Sequence, residues 1–154
     1  MSNSQPLIRT RSSTGDTAVD GLLHGVGAGI VMAIYLIVIG LLTGAGLAAT
    51  LSAFDLGQGT SPLRGALIHL AVAAIYGILF SLIYRLIGRG RSIGRGGNVI
   101  IGLAYGLLLW LITQIAFAAG VNVAPSSLPT LHFAVAHALY GIVLGWLSGQ
   151  TRTE

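Results

Sequence analysis

The 154-residue chain has no cysteine and no lysine, and only four acidic residues, Asp16, Asp20, Asp55 and Glu154. Without cysteine there is no disulfide, no thiolate-held iron–sulfur cluster and no covalent haem attachment through Cys-x-x-Cys-His. Charged residues make up 8% of the chain, against about 25% in soluble domains, too few to cover a water-exposed globule. No Ser/His/acid set, His-x-x-x-His metal pair or acidic motif stands out, so the expectation is a protein that is not an enzyme and holds no protein-bound metal ion. All four prolines (Pro6, Pro62, Pro125 and Pro129) fall outside the long apolar stretches, so no broken helix is expected.

What is abundant is apolar sequence, 54% of the chain. It falls in four segments, residues 22–47, 65–87, 99–119 and 131–147, in which Arg85 is the only charged residue. A bilayer core of roughly 30 Å takes about 20 apolar residues of helix. The expected fold is therefore an all-α integral membrane protein, a four-transmembrane-helix bundle. Residues 1–21 read as a disordered cytoplasmic tail, 22–149 as the membrane domain and 150–154 as a second cytoplasmic tail. Segment 22–47 is too long for a signal-peptide core and reads as an uncleaved anchor.

All eight basic residues are arginine. Arg9, Arg11, Arg85, Arg89, Arg91, Arg95 and Arg152 lie on one side of the expected topology, and Arg64 alone lies on the other. The positive-inside rule then puts both termini in the cytoplasm, of a plasma or inner membrane. Arg85, Arg89, Arg91 and Arg95 border a Gly/Arg loop that reads as an anchor with anionic lipid headgroups as partners. No aromatic residue is interleaved there, which argues against nucleic acid.

Small residues recur at spacing four: Gly25/Gly29, Gly40/Gly44, Ala73/Gly77, Gly102/Gly106 and Gly141/Gly145/Gly149. In lipid such rows let helix backbones approach closely, within the chain or with other membrane subunits as partners. The run Gly25-Val26-Gly27-Ala28-Gly29 belongs to this packing; no strand precedes it and position 30 is Ile, so it is not a dinucleotide fingerprint. Span two (Ile-His-Leu-Ala-Val-Ala-Ala-Ile-Tyr-Gly from Ile68) matches span four (Leu-His-Phe-Ala-Val-Ala-His-Ala-Leu-Tyr-Gly from Leu131) if one residue is inserted. That suggests two helical hairpins related as a parallel repeat. Tyr84 and Trp146 fit an interfacial aromatic belt, and Trp110 lies mid-span.

Ionisable groups in a membrane are functional candidates. His69 and His137 each head the small-residue row of their helix and should point into the bundle. Gln114 lies at similar depth, and with His132 these form the expected polar cluster, His69, Gln114, His137 and His132. His132 and His137 are five residues apart, which puts them on different helix faces. His24 lies at the other end of the bundle. Three roles follow. The leading expectation is a non-catalytic accessory subunit of a larger membrane complex, respiratory or photosynthetic, with no cofactor. The alternatives are a tetrapyrrole-binding electron-transfer subunit, with His69 and His137 as axial ligands to haem b or a chlorophyll-type pigment, and a small homo-oligomeric transporter or channel. The last lacks the membrane carboxylates that ion relays normally use.

Overall fold

In a computed structural model, residues 13–55, 61–87, 94–120 and 129–150 are described. Among these the protein is all-helical, with α1 (Thr14–Leu42), α2 (Leu47–Ser52), α3 (Pro62–Ile87), α4 (Arg95–Ala118) and α5 (Thr130–Gln150). α1, α3, α4 and α5 are each long and apolar enough to cross a bilayer. The chain is an integral membrane protein built as a four-helix bundle.

Two boundaries of the first span differ from expectation. Helix begins at Thr14, inside the stretch read as a tail. Ser13 caps it by accepting from the Asp16 amide at 3.1 Å, while Asp16 Oδ2 accepts from the Ser13 amide at 2.7 Å. This reciprocal capping box satisfies two otherwise orphaned donors. Arg85, from the far end of α3, donates to the Ser13 carbonyl at 2.7 Å and to Thr17 Oγ1 at 2.8 Å, fastening that first turn to the bundle. The span ends at Leu42, earlier than expected, because Gly44 and Gly46 adopt φ of +83° and +73°. This left-handed backbone suits glycine and stops the helix. Gly44 is therefore a turn residue and does not pair with Gly40 in a packing row. Gly40 instead packs against Thr50 of α2, a short helix between the first two long ones.

Glycine decides how the long helices pair. A Cβ at Gly25 would lie 2.9 Å from the Gly77 Cα, and one at Gly21 would lie 2.9 Å from the Ile78 Cα. This is backbone-to-backbone contact of α1 on α3. The second hairpin repeats it: a Cβ at Gly102 would run into the Gly141 carbonyl and sit 2.7 Å from the Gly145 Cα, and one at Gly106 would meet the His137 carbonyl. The matched pairs Tyr76-Gly77 and Tyr140-Gly141 thus place their glycines at equivalent seams. α1 and α5 form the middle contact, where Ala28, Leu36, Ala136 and Leu144 are fully buried.

α3 and α4 meet through large side chains. Phe80 of α3 lies against Tyr105 of α4 (ring centroids 5.1 Å apart), and the Tyr105 hydroxyl donates to the Tyr76 carbonyl at 2.9 Å. Tyr84 is 4% exposed and its hydroxyl donates to Asn98, itself buried. Tyr84 is therefore an interior residue and not part of an aromatic belt, because a polar partner one helix away draws it in. Trp146 is 53% exposed.

The seams predict unequal glycine substitutions. Gly102→Val should cost about 2–3 kcal/mol, as overpacking does. Gly96→Ala, where a Cβ meets nothing, should change stability by less than about 0.5 kcal/mol. Reversible unfolding in mixed micelles reads both.

Candidate functional site

His69 lies two turns into α3, on the face that carries Ala73, Gly77 and Ser81 toward α1. Its Nε2 donates to the Gly29 carbonyl across the seam at 3.0 Å, and its ring lies 4.7 Å from that of Phe54. His137 lies two turns into α5, heading the row Gly141, Gly145 and Gly149 toward α4. Its Nδ1 donates back to the Phe133 carbonyl at 2.9 Å, and the two rings meet edge to face at 4.5 Å. These bonds to backbone fix both rings and assign the proton, since a carbonyl oxygen can only accept.

Both histidines line one cavity of about 270 Å³. α3 contributes Ile68, His69, Val72, Ala73 and Tyr76; α4 contributes Leu109, Ile112, Thr113 and Ala116; α5 contributes Phe133, His137 and Tyr140. Met32 of α1 forms the back wall, and Ala53 and Phe54 close the end beyond α2. Val72 and Ile112 are also 40% and 50% exposed, so the cavity reaches the outer surface of the bundle between α3 and α4. Toward the other end of the bundle the Phe80–Tyr105 contact fills the space between the same two helices.

The polar atoms facing this space are few. Tyr140 donates to the Ala73 carbonyl at 2.8 Å and Thr113 to the Leu109 carbonyl at 2.9 Å. Among the described residues, Trp110 Nε1 is the only fully buried side-chain nitrogen or oxygen with no partner. The second ring nitrogens, His69 Nδ1 and His137 Nε2, also lack a partner, and so they remain accessible. The Tyr76 hydroxyl is in the same position.

The other expected members of the cluster lie elsewhere. Gln114 is half-buried on α4 and does not line the cavity; its neighbour Thr113 does. His132 faces α1, where its Nδ1 lies 2.9 Å from the Tyr35 hydroxyl. His24 pairs with Ser148 at 3.4 Å near the other end of the bundle. No group of three His, Asp or Glu able to hold a metal ion occurs among the described residues. Of the arginines expected at headgroups, Arg85 contacts the start of α1, Arg89 and Arg91 lie outside the described residues, and Arg95 opens α4. At the cavity end, Arg64 makes a two-point ion pair with Asp55, with both contacts at 2.7 Å. That pair closes the α2–α3 connection beside the cavity and accounts for an arginine on the side of the bundle that otherwise lacks them.

Sequence reasoning missed Tyr76, Tyr140, Thr113 and Phe54. The first two carried a signal, the repeated Tyr-Gly pair. Comparison with family models, with curated proteins and with solved structures gave no significant match.

The division between cavity and seam is testable by double-mutant cycles. Tyr35→Phe and His132→Ala should couple by about 0.6 kcal/mol, as interhelical hydrogen bonds in lipid do. Tyr35→Phe and His137→Ala should be additive within about 0.3–0.5 kcal/mol.

Proposed function

We propose that this protein is a non-catalytic binding protein of the membrane that holds a small amphiphile in the cavity between α3 and α4. The observation that carries this reading is a 270 Å³ space with two immobilised histidines inside it and an opening at Val72 and Ile112 on the lipid-facing surface. A cavity of about 150 Å³ with apolar walls accommodates benzene. The larger volume here suits a substituted ring or a compact headgroup, whose tail can remain in the bilayer. The arginine bias supports a pocket in the outer half of the membrane, with both termini cytoplasmic.

The glycine rows bear on the accessory-subunit role. Their members Gly25, Gly29, Gly40, Gly77, Gly102, Gly106, Gly141, Gly145 and Gly149, together with Gly21, all face helices of the same chain. What remains in favour of a host complex is the shortness of the connections between the four long helices. An accessory subunit that carries a ligand for its complex is compatible with the pocket. A tetrapyrrole is favoured by one detail, the anchored Nδ1 and open Nε2 of His137, which is how metal-ligating imidazoles are usually held. Two details oppose it: His69 presents the reverse arrangement, and the volume lies below the roughly 300–1,000 Å³ of pockets for drug-sized ligands. Passage of a substrate along the bundle would require the Phe80–Tyr105 contact to part.

Native mass spectrometry of the protein released from its own membrane tests the proposal. The wild type should carry a small organic adduct. Thr113→Trp, with an indole filling the pocket and unchanged helix content, should carry none. Bare wild type, or the same adduct on both proteins, overturns the reading. A Soret band abolished by His137→Ala would replace it with the tetrapyrrole role.

A further inference from the structure

The open polar atoms of the cavity are predominantly of one kind. His69 Nε2 and His137 Nδ1 each spend their proton on a backbone carbonyl, at 3.0 and 2.9 Å. In a neutral imidazole the other nitrogen is then a lone pair, so His69 Nδ1 and His137 Nε2 are both acceptors. Thr113 and Tyr140 also direct their protons to carbonyls, at 2.9 and 2.8 Å, so what they have left to offer a ligand is accepting capacity. Among the described residues that line the cavity, only the Tyr76 hydroxyl has a proton free for a ligand. Donors are scarce and acceptors are abundant.

That imbalance selects among molecules of the right size. At about 30 Å³ per water, the 270 Å³ space corresponds to roughly nine waters, which can donate to both nitrogens. A ligand that displaces them and brings only acceptors leaves two buried lone pairs unpaired, which is costly. A ligand that brings a hydroxyl or N–H restores what the water supplied. Resting on the cavity as a ligand site, we infer that it takes a small ring compound bearing hydrogen-bond donors, of the phenol, aromatic diol or aromatic amine class. It discriminates against the matching ether or quinone. His69 and His137 are the specificity-determining residues, and each is held in its accepting tautomer by the carbonyl behind it.

The test uses a pair of probes of nearly equal size, 4-ethylphenol and 4-ethylanisole, which differ in one donor. They are titrated into the wild-type protein in lipid nanodiscs with ¹⁵N-labelled histidine. The phenol should bind about tenfold more tightly and shift the unprotonated ring nitrogen of His69 or His137. The rings of His24 and His132, which lie outside the cavity, should keep their shifts. Equal binding of both probes, with cavity residues perturbed, overturns the donor rule and leaves the cavity reading standing. Tighter phenol binding without a shift at either cavity ring also overturns it. Binding of neither probe up to its solubility removes the cavity reading as well.

Discussion

Everything else in this bundle depends on how closely the backbones approach at the glycine seams. Lipid gives helices no hydrophobic reason to associate, so attraction must come from close van der Waals contact and from interhelical hydrogen bonds. Gly25 on Gly77, and Gly102 and Gly106 on Gly141, supply the first in both hairpins. Tyrosines supply the second between hairpins: Tyr105 and Tyr140 each donate to a carbonyl of α3, and Tyr35 meets His132. The carbonyls of an apolar helix are the only acceptors available along most of its length, and tyrosine is long enough to reach them from a neighbouring helix.

The cavity follows from this unequal packing. Glycine draws α3 onto α1 and α4 onto α5, and the α1–α5 contact joins the two hairpins. α3 and α4 are left facing each other across a gap that only bulky side chains can fill. Phe80, Tyr84 and Tyr105 fill it at the end where α1 begins. At the other end the two helices line the space with shorter residues such as Val72, Thr113 and Ala116 among larger ones, and the gap is not closed. The two histidines enter that space because each occupies the position two turns into its helix at which the small-residue seam begins.

Much of this was legible in the sequence. Uninterrupted apolar helices keep their spacing, so the rows beginning at His69 and His137 could be read directly and both rings do turn inward. The failures have definite physical causes. The capping box lies in polar sequence ahead of the apolar run, so hydropathy does not mark the start of α1 at Thr14, and the positive φ of Gly44 leaves no mark on hydropathy either. Gln114 has the depth of the two histidines but lies twelve residues from Gly102, and at about 100° per residue that turns it roughly 120° away from the glycine face. Thr113 takes the cavity position instead. Depth alone suggests a belt position for Tyr84, and depth says nothing about a buried Asn98 on the next helix.

The proposed function requires the space around the two histidines to communicate with the bilayer between α3 and α4. Solid-state NMR of deuterated protein in protonated lipid tests it most directly, by timing magnetisation transfer from acyl-chain protons. Transfer should reach Val72 and Ile112 early, followed closely by the rings of His69 and His137, well ahead of the fully buried Leu36 and Ala136. Transfer to the two rings no faster than to Leu36 and Ala136 would contradict it.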